Sequence, residues 1–254
     1  MRSTTERRDD ILNQLHCAGS VTVLELAETY GVSKVTIRND LDTLEKKGLL
    51  VRSHGGALRK RQDFFESTNT FKNQKKVDEK EKIALAALSQ IEDGDAIILS
   101  AGTTTEHIAR KLVNIKDAFV VTNGLNILLA LSNCAGVSAV GTGGNYHSDS
   151  MSFYGTLAEE SISKYNLDKM IVGVDGLHAA FGVTTHSEHE ARFYNAMLRA
   201  TKKCIVVADS SKFERVSVHK IMPCSKIDVL ITDSGINDEY KRYMIECGIE
   251  LVIV

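Results

Sequence analysis

Residues 33–42, SKVTIRNDLD, combine side chains suited to reading a nucleic-acid duplex. Lys34, Val35, Thr36, Arg38 and Asn39 supply a cation, two methyl-bearing side chains, a guanidinium and a carboxamide. Arginine pairs with guanine or holds a phosphate, asparagine pairs with adenine, and a methyl group meets the thymine methyl in the major groove. A second set of residues suits an anionic polyol. It comprises Ser100, Gly102, Thr103, Thr104 and Thr105 in SAGTTT, then Asn123, then Gly143 and Gly144 in GTGG. Asp175 and the ADSSK stretch ending at Lys212 complete it. Glycine admits close backbone approach, helix-start amides point at an anion, and threonines add hydroxyl donors. Taken singly, a threonine run is ordinary helix capping, a glycine pair an ordinary turn and Lys212 a surface lysine. Together they suit a phosphorylated sugar.

Particular elements must position the first set. Ile37, Leu41 and Leu44 recur at helical spacing behind Ser33, a good N-cap, so a buried stripe backs the polar face. The plainer reading of that face is a solvated side of a core helix. Its neighbours favour the other reading. Thr22 and Glu25 have capping-box spacing before Val23, Leu26, Ala27 and Tyr30. Gly31-Val32-Ser33 is a short turn into the next helix, the sequence form of a helix-turn-helix. An earlier helix carries Ile11, Leu12 and Leu15, starts at a Ser3/Glu6 capping box and stops at Gly19. Arg7 and Arg8 in its first turn oppose the helix dipole; a nearby phosphate would justify them, and so would plain solvation. After Gly48, residues 49–52 read as a strand, residues 54–56 as a turn and residues 57–59 as a returning strand. This hairpin is a wing, and Arg52, His54 and Arg59 could bring it against the backbone or minor groove.

The second set depends on a sheet. Short apolar runs at 96–99, 119–122, 137–140, 170–174, 204–208, 229–232 and 251–254 alternate with helical patterns. The helices fall at 105–113, 127–132, 157–165, 190–201 and 238–247. This rhythm predicts a largely parallel sheet covered by helices. Ligands of such sheets bind beyond the carboxyl ends of the strands, where every member of the second set falls.

Composition agrees with an intracellular two-domain chain. There are 254 residues, 43% of them hydrophobic, with a net charge of −2. Residues 1–61 hold 11 Lys/Arg and 8 Asp/Glu, net +3; the remainder holds 20 and 25, net −5. A basic head on an acidic body has the right sign for DNA contact through the head. Cysteines 17, 134, 204, 224 and 247 show no metal spacing and read as reduced thiols, and no metal or cofactor is expected. No apolar signal region or membrane-length run occurs, so a cytoplasmic location without membrane contact is expected. The boundaries read as a winged helix-turn-helix over 1–58, a polar linker over 59–74 and an α/β domain over 75–254, which opens with a helix over 75–91.

The motif from Arg7-Arg8 through ELAETYGVSKVTIRNDLDTLEKKGLLVRSHGGA, residues 25–57, resembles the DeoR family of bacterial transcriptional regulators. The resemblance runs through nearly the whole chain. Within the family the sequence looks most like repressors of N-acetylgalactosamine and galactosamine utilisation. The resemblance implies a DNA-binding repressor of a carbohydrate, and specifically amino-sugar, catabolic operon, released from its operator by a phosphorylated sugar. It also implies a mostly parallel α/β effector domain similar to ribose-5-phosphate isomerase. Carried over on SAGTTT, GTGG, GVDG and ADSSK, it gives Gly102, Thr103, Thr104, Thr105 and Lys212 to the phosphate and puts Asp175 near sugar hydroxyls. Glu188 or Glu190 falls in the region of the isomerase's general base. Leu177-His178 stand where the isomerase has a second acid, and GVTTHSEHE (182–190) stands where it has a lysine. Isomerisation needs a placed base and an electrophile, so catalysis is not expected. The alternatives are a sugar-phosphate isomerase or deaminase with a DNA-binding head, and an activator using the same two domains. A homodimer or homotetramer is expected, because one winged helix covers too little DNA for tight specific binding.

Overall fold

The computed structural model describes residues 4–18, 20–47, 49–53, 55–58 and 76–254. The expected stops at Gly19 and Gly48, the cap at Ser3, His54, Arg59 and the linker lie outside the described residues. The chain divides into two compact units, within 1–65 and 66–254.

The first unit runs α1 (Thr4–Ala18), β1 (Ser20–Thr22), α2 (Val23–Tyr30), α3 (Lys34–Lys46), β2 (Val51–Ser53) and β3 (Gly56–Leu58). Thr22 caps α2, accepting from the Glu25 amide, while its hydroxyl donates to the Glu25 carboxylate at 2.8 Å. Gly31 ends α2 in the left-handed region, at φ 62°, where a side chain would be strained. Ser33 caps α3 by accepting from the Thr36 amide at 3.1 Å. Ile11, Leu15, Leu26, Ile37, Leu41 and Leu44 form one buried core. Each such side chain contributes about 1.5–3 kcal/mol on leaving water. The wing is a three-stranded sheet in the order β1-β3-β2, one strand more than the sequence reading expects. At three residues, Ser20–Thr22 is too short to show a period, and only pairing with β3 makes it a strand.

The second unit opens with α4 (Val77–Leu88) and is built on a seven-stranded parallel sheet. Its strands are β4 (Ala96–Leu99), β5 (Ala118–Thr122), β6 (Val137–Gly141), β9 (Leu167–Gly173), β12 (Thr201–Val207), β14 (Val229–Thr232) and β15 (Glu250–Ile253). Their order is β15-β14-β12-β9-β4-β5-β6, and each falls on one of the seven apolar runs. Side chains alternate between faces, so the sheet has two cores. Ile97, Leu99, Val120 and Ile171 pack under α4, α5 (Thr103–Arg110) and α6 (Leu125–Leu131). Ile98, Val121, Met170 and Val172 pack under α7 (Thr156–Ile162), α8 (Glu188–Ala200) and α9 (Asp238–Glu246).

Two small antiparallel sheets lie outside the sequence expectation. One pairs β7 (Asn145–His147) with β8 (Ser152–Tyr154); the other joins β10 (Gly176–His178), β11 (Gly182–Thr185) and β13 (His219–Met222). All five strands have three or four residues, too few for a period-two signal.

Candidate nucleic-acid interface and effector site

The stripe Ile37, Leu41 and Leu44 turns the opposite face of α3 outward. Lys34, Arg38, Asn39, Asp42 and Lys46 are exposed, and Val35, an apolar residue, is 61% exposed. Ser33 and Thr36 hydroxyls lie 2.8 Å apart within the cap, so both are occupied in shaping the helix start. Arg52 is half-buried, its Nε 3.5 Å from Asp42, and its amide donates to Glu45 at 2.8 Å. The wing is thereby fastened to the second half of α3.

Arg7 and Arg8 meet a partner inside the first unit. Asp40 lies on α3 at 2% exposure, and both arginines donate to it through Nε at 2.7 Å. Arg7 is only 8% exposed. An internal carboxylate is enough to account for cations at the start of α1. A buried carboxylate needs paired charge, and Arg7 cannot supply it while facing outward. Arg8 keeps 28% of its side chain exposed.

In the second unit, every strand of the sheet delivers its following loop to one edge, because the strands are parallel. Ser100 is buried; its Oγ accepts from the Gly173 amide at 3.3 Å, tying the loop after β4 to the end of β9. Asn123 is also buried. Its Oδ1 accepts from the Ala101 amide at 2.9 Å and its Nδ2 donates to the Phe153 carbonyl. Both residues brace neighbouring loops. Thr105 is likewise turned inward, fully buried, donating to the Gly102 carbonyl at 3.1 Å. Thr103 and Thr104 are 6% and 7% exposed at the start of α5. Gly143 and Gly144 both have positive φ, and a Cβ on Gly144 would lie 2.5 Å from the Tyr154 carbonyl. The GTGG loop is thus held against β8.

Asp175 is half-buried after β9, with Thr185 Oγ1 at 3.4 Å. The same hydroxyl also donates to Glu190, so one proton serves two carboxylates. Glu190, not Glu188, is therefore the acid beside Asp175; Glu188 is exposed. Tyr194 lies one turn beyond Glu190 on the inner side of α8 and donates to the Gly173 carbonyl at 2.8 Å. Burial, then the neighbouring Glu190 charge, pushes its hydroxyl well above the ordinary phenol value. It is a fixed neutral donor. Tyr194 was legible only as the i+4 partner of Glu190, a signal that also fits plain core.

Lys212 is half-buried in a short turn, Ser210–Lys212, capped by Asp209, whose Oδ1 accepts from the Ser211 amide at 3.0 Å. Asp233, after β14, accepts from the Ser210 amide at 2.6 Å and the Gly235 amide at 2.9 Å. Burial alone would raise the Asp233 carboxyl, but these amides outweigh it and hold it below its ordinary value. Among the described residues, no group of three or more His, Cys, Asp and Glu is arranged to hold a metal, and no helix is long and apolar enough to cross a membrane.

Residues 7–63 match the DeoR-like helix-turn-helix domain, and residues 75–234 match the DeoR C terminal sensor domain. A putative aga operon transcriptional repressor of Escherichia coli O157:H7 is 42% identical, over 99% of this chain and 94% of that protein. The transcriptional repressor AccR of Agrobacterium fabrum is 34% identical over 92% and 91%, and the repressor GlcR of Bacillus subtilis 32% over 98% and 95%. Among solved structures, ribose-5-phosphate isomerase A of Methanocaldococcus jannaschii matches at 17% identity and a TM-score of 0.39, covering 54% of each chain. At that level the isomerase lends no residue its role. With both domains matched in order and the relatives aligned end to end, the chain belongs to the DeoR family of DNA-binding transcriptional regulators.

Proposed function

We propose that this regulator represses a carbohydrate catabolic operon and leaves its operator when a phosphorylated sugar binds the second unit. The observation that carries the reading is the outward face of α3: Val35, Arg38 and Asn39 stand exposed on a helix whose other side is wholly buried. That rigid backing suits base reading in the major groove. On the effector side, Gly102, Thr103, Thr104, Asp175 and Lys212 follow strands of one parallel sheet, and Glu190 faces Asp175 across Thr185. Hydroxyl and amide donors with one cation suit a phosphate, and the carboxylates suit sugar hydroxyls. An amino-sugar phosphate is the finer reading, supported by the aga operon name of the Escherichia coli relative.

A thermal-shift screen of hexose and hexosamine phosphates tests this. A true effector at 100 times its dissociation constant should stabilise the second unit by roughly 2.7 kcal/mol and release operator DNA in a gel shift. If no sugar phosphate stabilises the chain while operator binding is intact, the effector class is wrong.

A further inference from the structure

Lys76 is the first described residue of the second unit, and the whole head precedes it in the chain. Its backbone has φ 55° and ψ 42°, the left-handed region that a side chain disfavours. It stands at the N-cap of α4, where its carbonyl accepts the first helical bond from the Lys80 amide at 3.0 Å. A residue other than glycine persists in that conformation only where its surroundings hold it.

The direction of α4 identifies those surroundings. Ile83, Ala84 and Ala87 share a core with Ile205 and Val207 of β12 and with Val229 and Ile231 of β14. Two residues past the end of α4, Gln90 accepts from Lys203, near the start of β12, at 3.0 Å. It also donates to Glu250, the first residue of β15, at 3.3 Å. The helix therefore runs against the strands, from their carboxyl edge to their amino edge. Lys76 begins it at the edge where Asp209 follows β12 and Asp233 follows β14. Glu79 pairs with the Lys76 ammonium at 2.7 Å. That pair, joined by the charges of Asp233 and Asp209, raises the ammonium above its ordinary value against the effect of burial.

The same two aspartates fix the turn that bears Lys212. Asp209 holds the Ser211 amide at 3.0 Å and Asp233 the Ser210 amide at 2.6 Å. An added Cβ on Gly235 would meet Ser210 Oγ at 2.4 Å, so the loop after β14 is pressed against this turn.

We propose, resting on the effector reading above, that Lys76 is the positioning residue through which an anion at the Lys212 turn acts on the chain that carries the head. An anion held there changes the charge and the backbone of the turn. Both changes reach Lys76 through Asp209 and Asp233, and Lys76 sets the backbone at the point where the head is attached. By linkage, operator binding acts back on the turn by the same factor.

Hydrogen exchange on the full chain tests the contact without any sugar. Asp233→Asn keeps an amide acceptor and removes the charge. It should speed exchange in peptides covering the start of α4, residues 77–83, by at least about threefold, because the Lys80 amide is bonded to Lys76. In a Lys76→Gln background the same change should add nothing, and Lys76→Arg should restore the response. Asp209→Asn repeats the perturbation if Asp233→Asn fails to fold. Titration with galactosamine 6-phosphate then compares its affinity for the free and the operator-bound chain. The ratio should be at least about fivefold in the wild type, fall to near one in Lys76→Gln with free-chain affinity unchanged, and recover in Lys76→Arg. A wild-type chain that ignores this sugar puts the effector reading at fault, while the exchange result still decides the role of Lys76. A start of α4 unmoved by both aspartate variants, an equal response in Lys76→Gln, or a wild-type ratio in Lys76→Gln would overturn the proposal.

Discussion

Arg38 and Lys212 belong to the two halves of the proposed switch, and each isolates one half. Arg38 is exposed on α3. Arg38→Ala should weaken operator binding by about 1–3 kcal/mol. A base contact would make the loss larger on operator than on random DNA. A phosphate contact would lower both alike and flatten the salt slope by about one unit. Unchanged gel-shift affinity would remove α3 from the interface. Lys212 sits outside the head, in the turn after β12. Lys212→Ala should leave operator affinity intact yet weaken effector binding by about 10- to 150-fold, the cost of a lost charge-assisted contact. Titration with effector, first of free protein and then of the operator complex, decides. Normal behaviour in both would move the phosphate to the start of α5.

At the level of elements, α1 is bound to the recognition helix through Asp40. Two guanidinium groups converge on this nearly inaccessible carboxylate, so removing it strands their charge. Asp40→Ala should destabilise the first unit by about 3–5 kcal/mol, read as a fall in its unfolding midpoint. Operator binding should fall only as far as the head unfolds. If stability is unchanged while binding is lost, Arg7 and Arg8 act on DNA after all. In the second unit, Tyr194 plays a similar part, holding α8, and with it Glu190, to the loop that bears Asp175.

For the molecule as a whole, acid should be the destabilising direction. Burial, then neighbouring His189, lowers the His147 imidazole below its ordinary value, with Asp149 opposing them. The unfolded chain therefore takes up that proton first. Stability from neutral His147 is complete above about pH 6.5 and is lost as the pH falls below it. The carboxyls of Glu81, Asp168 and Asp233 are also lowered, chiefly by hydrogen bonds from Lys111 and Lys202 for the first two and by amides for the third. Their share is lost at lower pH, beneath the ordinary carboxyl range. The midpoint of the second unit should thus decline gently below pH 6.5 and steeply below about pH 4. His147→Gln should flatten the first stage alone. A midpoint that rises between pH 7 and 5 would contradict this assignment.

The sequence by itself determined the recognition helix and the seven strands of the large sheet. A stripe at 3.6-residue spacing, or an apolar run between turn residues, is a local property with one stable outcome. It also located the loops at the carboxyl edge of the sheet, where the effector site is proposed, since these follow strands directly. Tertiary structure alone decided which side chains in those stretches remain available. Ser100, Asn123 and Thr105 have the right chemistry, yet the packing of neighbouring loops spends their hydrogen bonds inside the fold. Arg7 turned inward because Asp40, 33 positions away, needed a counter-charge. Glu190 displaced Glu188 because helical rotation carries one toward Thr185 and the other toward water. Residue type sets what a side chain can bond to. Only the folded neighbourhood, assembled from distant segments, sets whether a partner already has it.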